Sequence, residues 1–294
     1  MRPSDLESLA ERCVPGNGTP DIRRLGLGLV NETYKVLRNG HAYALRVAGA
    51  DPYALGLDHA WEARLLASAA RADLAPALEY CDPQRGILVA RWVEGRPWTP
   101  EDVRRRPNIA RIARLARRIH ALPMPLPARV MNPAKWIDYY RAALVRRRMS
   151  AESLVKPADP AAVDRRLTLL AELPGAPPVV CHSDLHVLNL IDRGRSLVLL
   201  DWEYAHASDP LWDLAGWSAN NDLEDGLKHD LLANYTGRAP TGDEWSRLQL
   251  LIWLYDYVCL LWSELYLNLR RGAAPKSVAA RARLLRTRLD GELV

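Results

Sequence analysis

The apolar positions of this chain fall into two regimes. Up to about residue 93 they come in short runs broken by turn residues, and from Thr99 onward they recur at helical spacing. Two apolar-rich runs, 25–36 and 43–47, flank Asn39-Gly40. That dipeptide favours a tight hairpin turn because both residues accept positive φ. Two more strands are expected at 77–81 and 86–93, joined by Asp82-Pro83-Gln84-Arg85. A helix is expected at 58–72, with Trp61, Leu65 and Leu66 inward. At the N-terminus a short helix is expected over 5–12, with Ser4 as N-cap and Glu7 completing a capping box. Thr99-Pro100-Glu101-Asp102 then supplies a cap, a first-turn proline and acids at the positive end of the helix dipole. Pro107 separates this turn from a longer helix whose stripe is Ile109, Ile112, Leu115, Ala116 and Ile119. His120, which ends that helix, is expected to cap it. After a linker at 123–127, helices are expected at 134–148, 160–173, 209–220, 222–235 and 241–271.

Most of the polar chemistry gathers between the helix expected at 160–173 and the start of the one expected at 209–220. Residues 179–216 read VVCHSDLHVLNLIDRGRSLVLLDWEYAHASDPLWDLAG. Val179-Val180-Cys181 leads into His182, Asp184, His186 and Asn189. A turn at Arg193-Gly194-Arg195 follows, and a second apolar run, 197–200, delivers Asp201. Asp184 and Asp201 are therefore expected in loops at strand ends. Phosphoryl transfer from a nucleotide needs such groups. One carboxylate takes or orients the acceptor's hydroxyl proton, while an amide oxygen and another carboxylate hold Mg²⁺ against the phosphates. Asp184 fits the first task, and Asn189 with Asp201 the second.

Composition narrows the class. At 294 residues the chain can bury a large core and form two lobes, and 49% hydrophobic with 26% charged residues is ordinary for a globular protein. Residues 1–13 show no secretory pattern. The most apolar window, 250–262, is interrupted by Asp256 and is too short to span a bilayer. A cytoplasmic protein with no membrane partner is expected. Four widely separated cysteines suggest free thiols. The net charge of +5 raises nucleic-acid binding as a possibility. However, the arginine clusters at 104–106, 117–118 and 146–148 alternate with apolar positions on helices, which reads as a solvated face, so no nucleic-acid partner is expected. Nothing in the sequence specifies an oligomeric state.

His-x-Asp-x4-Asn at 182–189, Asp-Trp-Glu-Tyr-Ala at 201–205 and Asp-Pro-Leu-Trp-Asp-Leu-Ala at 209–215 resemble three blocks of the aminoglycoside phosphotransferase and choline kinase superfamily. They occur in that family's order and spacing. The Asp-Trp-Glu-Tyr-Ala wording is most similar to the choline, ethanolamine and thiamine kinase branch. The resemblance implies an α+β, protein-kinase-like two-lobe fold. An N-terminal antiparallel β-sheet lobe would bind nucleotide over 1–93, and a mostly helical C-terminal lobe over 94–294 would carry the catalytic loop and acceptor site. It implies ATP and Mg²⁺ as cofactors.

The resemblance also implies individual roles. Gly26, Gly28 and Asn31 would belong to a nucleotide-covering loop, although the full Gly-x-Gly-x-x-Gly of protein kinases is missing. Arg46 stands where protein kinases have a strand lysine, and a guanidinium can neutralise phosphate charge there bidentately. Glu62 would be its ion-pair partner, and residues 92–96 would form the hinge. Asp184 would be the catalytic base, with His182 orienting its loop, and Asp213 would brace that loop through backbone hydrogen bonds.

Glu203 puts an acid beside the metal residues, and the segment 241–271 carries Trp253, Tyr257, Trp262 and Tyr266 with Asp256 and Glu264 between them. An acid among aromatic faces suits a cationic alcohol of the choline, ethanolamine or thiamine type. Trp262 is the expected substrate ring, since Leu261-Trp262-Ser263 resembles choline kinases. Those enzymes tend to have a second aromatic where this chain has Cys259. Two alternatives remain: an aminoglycoside phosphotransferase, and a non-catalytic nucleotide-binding pseudokinase.

Overall fold

The computed structural model describes residues 2–26, 28–49, 52–147, 160–270 and 274–291. Leu27, Arg148 and Arg271, which fall within expected elements, lie outside the described residues. The chain divides into two compact units. One comprises Met1–Trp98 and Leu188–Ala205, and the other Thr99–Val187 and His206–Val294. The return of Leu188–Ala205 to the first unit is a feature that one boundary along the chain does not describe.

The first unit is built on an antiparallel sheet of five strands, ordered β1-β2-β3-β5-β4: β1 (Asp21–Leu25), β2 (Asn31–Arg38), β3 (His41–Ala48), β4 (Leu78–Asp82) and β5 (Ile87–Arg91). Asn39 and Gly40, at φ 49° and 73°, make the expected hairpin between β2 and β3. Strand periodicity sorts the side chains. Tyr34 and Val36, Tyr43 and Leu45, and Ile87 and Val89 bury against Leu9, Ala10 and Cys13 of α1 (Pro3–Cys13) and against Val14, which follows it. Arg46, next after Leu45, therefore points to the opposite face, where α2 (His59–Arg71) brings Glu62 to it. Helix α1 starts earlier than its capping signal suggested. Its N-cap is Arg2, and Pro3 takes a first-turn place for which it is preorganised, so Ser4 lies inside the helix. Its far end is tied to the sheet by Arg38, whose Nη1 donates to the carbonyls of Glu11 and Val14 at 2.7 and 2.6 Å. A second sheet, β6-β8-β9, joins β6 (Arg96–Pro97), β8 (Leu190–Asp192) and β9 (Leu197–Leu199).

The second unit is helical. It contains α3 (Pro100–Val103), α4 (Arg106–His120), α5 (Pro133–Arg146), α6 (Pro160–Glu172), α7 (Leu211–Asn220), α8 (Asp225–Thr236), α9 (Gly242–Leu269) and α10 (Lys276–Gly291), plus the strand pair β7 (Val179–Cys181) and β10 (His206–Ser208). Pro107 falls in the first turn of α4, as a proline that starts a helix must. Helix α9 is its axis, with α5, α6, α7 and α10 packed around it. A capping box starts it: Glu244 N–H donates to Thr241 Oγ1 at 3.2 Å, and Thr241 N–H to Glu244 Oε2 at 2.9 Å. This helix is long and apolar enough to cross a membrane, so the short-window reading of 250–262 understated it. Yet 78% of its apolar window is buried inside the protein, as in a core helix. Gly216 lets α7 approach α9 closely, since a Cβ there would lie 2.9 Å from the Tyr255 ring. All four cysteines are free thiols.

Candidate active site

The first unit gathers its chemistry around Arg46. Strand β3 is central, paired with β2 through Thr33 and with β5 through Leu88, so the Arg46 backbone is held on both sides. Its Nη2 is ion-paired with Glu62 Oε2, its Nη1 lies 3.2 Å from Asp201 Oδ1, and Nη1 is 3.8 Å from Glu203 Oε2. Asn31 Nδ2 donates to Glu203 Oε2 at 2.6 Å, and His59 Nδ1 lies 3.3 Å from Glu62. Five of the residues singled out by sequence, namely Asn31, Arg46, Glu62, Asp201 and Glu203, are thus one connected group. Glu203 was expected to face the acceptor. Here its carboxylate is buried and taken up by Asn31 and Arg46.

Electrostatics follow from that packing. Burial opposes the Arg46 charge, but Glu62, Glu203 and Asp201 more than offset it and hold its pKa raised. Burial likewise works against Glu62, yet Arg46 and His59 keep its carboxyl below the ordinary value. Glu203 goes the other way. Burial first, then the Asp201 charge, pushes its carboxyl well above the usual range despite Arg46 and Asn31. Three carboxylates against one guanidinium leave a surplus of two negative charges when all are ionised. Asn31 Oδ1 is buried and has no hydrogen-bond partner among the described residues. With Glu203 pushed towards its neutral form, Glu62 and Asp201 still outnumber Arg46, and an oxygen-rich group with surplus negative charge suits a hard divalent cation.

Asn189 joins this group through the β8–β9 hairpin. It ends a 3-10 turn, Val187–Asn189, immediately before β8, and its carbonyl accepts the Leu200 N–H at 2.8 Å. That bond sets Asn189 opposite the residue that precedes Asp201. Asp201 itself has φ 59°, a left-handed conformation uncommon for a non-glycine residue, and its side chain is 40% exposed. Of the two candidate loop glycines, only Gly28 is sterically required, because a Cβ would stand 2.1 Å from the Asn31 carbonyl oxygen. Gly26 has open space around it.

In the second unit the loop after β7 carries Asp184. The brace expected from Asp213 is present. His182 N–H donates to Asp213 Oδ2 at 3.0 Å and Ser183 N–H to Oδ1 at 2.7 Å. The His182 ring is fully buried, and its Nδ1 accepts the Asp184 N–H at 3.3 Å, so it holds the loop from inside. Ser183, at φ 67°, turns the chain so that Asp184 leaves the brace partly exposed, with His186 Nε2 3.6 Å from its carboxylate. His120 does not cap α4. Its Nε2 meets Asp213 Oδ2 at 3.1 Å and its Nδ1 meets the Tyr235 hydroxyl at 2.8 Å, because a buried carboxylate nearby is a stronger partner than the helix-end carbonyls. Burial opposes the Asp213 charge, but His120, His182 and the Ser183 amide hold its carboxyl below its ordinary value. His120, Cys181 and Asp213 offer ligand atoms within 4.8 Å of one another. Burial pushes the Cys181 thiol well up, however, which suits a hydrogen-bonded brace better than a thiolate metal site.

Most of the aromatic side chains proposed around the acceptor are core. Trp212, Trp217, Trp253, Tyr257 and Tyr266 are buried. Arg166 lies 4.0 Å over Trp253 and Arg141 5.5 Å over Tyr257, so the protein supplies its own cations to these rings. Trp262 is partly exposed and stacks on Tyr266 at 5.1 Å. The acids of α9 have cations beside them. Asp256 lies 3.0 Å from Arg288, and Glu264 is buried near Arg286.

The profile of the phosphotransferase enzyme family named APH matches residues 21–251. This chain belongs to that family. The APH-family chain is therefore a phosphotransferase with a hydroxyl acceptor. Solved structures agree on the fold. A choline/ethanolamine kinase family protein from Mesorhizobium loti is 26% identical with a TM-score of 0.78, over 99% of this chain and 94% of that one. The choline kinase LicA from Streptococcus pneumoniae, also solved in complex with AMP, is 20% identical with a TM-score of 0.77, over 98% of each chain. The macrolide 2′-phosphotransferase MphH from Brachybacterium faecium is 19% identical with a TM-score of 0.63, over 98% of this chain and 97% of that one. No curated protein sequence matches. The APH-family chain thus has the expected α+β, kinase-like fold.

Proposed function

We propose that this chain transfers the γ-phosphoryl group of ATP to a hydroxyl of a small molecule, with Mg²⁺ as cofactor. The observation that carries the reading is the Arg46 group, with its surplus of carboxylate charge and its orphaned Asn31 oxygen. Asn189 and Asp201 are the proposed metal ligands. Mg²⁺ bound there would neutralise phosphate charge. Arg46, held in place by Glu62, is positioned to pair with phosphate oxygens, and Gly28 allows the backbone of the covering loop to stay close. Asp184 is the proposed base, receiving the acceptor's hydroxyl proton as the phosphoryl group leaves. His182 and Asp213 fix its loop, so little reorganisation is needed at the moment of transfer. The first unit would serve the nucleotide and the second the acceptor.

The AMP complex of LicA supports a nucleotide as donor. The cationic-alcohol reading loses part of its basis, because Glu203 and Asp256 each have a cation of the protein beside them. The same balance weighs against a polycationic aminoglycoside. The test is Mg·ATP consumption over a panel of choline, ethanolamine, thiamine, sugars, hydroxy acids and an aminoglycoside, with Asp184→Ala as control. Saturable, acceptor-dependent turnover that falls about 10³-fold or more in the control is expected. Tight nucleotide binding with no turnover on any acceptor would mark a pseudokinase.

A further inference from the structure

Linked by hydrogen bonds to the loop of Asp184, the second unit holds a cation that its own carboxylates do not neutralise. Arg281, on α10, is half-buried. Its Nη2 donates to Asn220 Oδ1 at 2.8 Å. Among the described residues no carboxylate lies within ion-pair distance of it. That hydrogen bond uses one of the five N–H donors of the guanidinium. The chain of contacts then runs inward. Asn220 Nδ2 donates to the Tyr255 hydroxyl at 3.0 Å, and that hydroxyl donates to the Ser183 carbonyl at 3.4 Å, one residue before Asp184. The Tyr255 hydroxyl and the Cys259 thiol feel both charges. Burial raises the pKa of each, Asp184 raises them further and Arg281 opposes it, with Cys259 pushed up to about 12. Cys259 is thus a neutral neighbour at physiological pH, and so is Tyr255. Arg288, from the same helix, pairs with Asp256, and Arg286 lies near enough to Glu264 to oppose the rise of its pKa. Arg281 is the arginine of this set that a chain of hydrogen bonds connects to the loop of the proposed base.

We infer that Arg281, aligned by Asn220 and Tyr255, is a specificity residue of the acceptor site, and that the acceptor is an alcohol bearing an anionic group, a carboxylate or a phosphate. This rests on the reading of Asp184 as base of a small-molecule kinase. A planar guanidinium with unused donors matches either anion bidentately. A half-buried cation near the base would repel a trimethylammonium or ammonium head.

A series of small alcohols differing mainly in charge tests this: choline and ethanolamine, glycerol, glycerate, and glycerol 3-phosphate. Binding is read as the shift in Tm of the intact chain with Mg²⁺ and a non-hydrolysable ATP analogue, and turnover as kcat and KM with Mg·ATP. Glycerate or glycerol 3-phosphate should stabilise the wild-type chain, and which of the two does so identifies the anion. Arg281→Gln should weaken that binding about ten- to hundredfold, with the unliganded Tm little changed, while Arg281→Lys retains part of it. A loss in KM with kcat preserved separates specificity from a general loss of fold. The inference is overturned if the cations stabilise and the acids do not, if no acid binds, or if Arg281→Gln binds the acids as wild type does. Asp184→Asn keeps the two readings apart. Acid binding that persists in wild type and Asp184→Asn without turnover in either would sink the kinase reading and leave the anion site standing.

Discussion

The two units handle buried charge in opposite ways. Around Arg46, three carboxylates converge on one guanidinium and leave negative charge over. Along α9, Asp256 is paired with Arg288 of α10 and Glu264 lies near Arg286, whereas Arg281 has no carboxylate within ion-pair distance among the described residues. Desolvating a charge is costly unless a partner compensates it, so a balanced pair reads as structure. An imbalance that the fold retains reads as a place kept for a charge that arrives with a ligand. This comparison is the basis for proposing a cation and phosphate in the first unit and an acceptor with an anionic group in the second.

The comparison breaks most severely if Asp201 can be dispensed with. Asp201→Ala should lower kcat about 10³-fold or more while the chain stays folded, because its side chain is 40% exposed. Retained turnover would remove it from the metal set. Arg46→Met attacks the same imbalance from the other side. It leaves Glu62 buried without its main partner and should cost about 3–5 kcal/mol in denaturant unfolding. A cost under about 1 kcal/mol would mean that the cluster is solvated in solution.

Asp213→Asn sharpens the description of the loop, since an amide cannot accept both backbone N–H groups as well as the His120 contact. A loss of about 2–3 kcal/mol is expected. The wild-type carboxyl sits below its unfolded value of about 3.9, so its contribution is present above that pH and is lost as pH falls through the folded value. The variant should lack this acid-side loss. Glu264→Gln is the mildest change. Burial raises the Glu264 pKa to about 7 against the opposing pull of Arg286. Wild-type stability should therefore be greatest below about pH 4.3 as far as this group is concerned, and should fall as pH rises towards 7. The glutamine variant should lose that slope and gain about 1 kcal/mol at pH 8 in a thermal or denaturant titration.

Much of this was legible before any coordinate. The Asn39-Gly40 hairpin, the Thr99 and Thr241 helix starts and the helical stripes are local, and local rules place them. The pairing of Arg46 with Glu62 and the brace from Asp213 followed from resemblance, and the geometry agrees with both. Strand β1 was missed because it is a largely exposed edge strand of mixed polarity, with no clean alternation to announce it. Helix α10 was missed for another reason. Its buried Val278, Ala282, Leu285 and Leu289 do keep helical spacing, but four arginines between 281 and 288 mask the stripe.

What the sequence determined by itself, then, was the set of candidate groups and their order, since an Asp at a strand end or a Gly in a turn is specified by its neighbours. Only the tertiary structure decided which charges cancel. Glu203 is separated by 172 positions from Asn31, and Arg281 by 61 from Asn220, so no periodicity connects them. A charge acquires its meaning from the groups it is buried with, and those are chosen by packing.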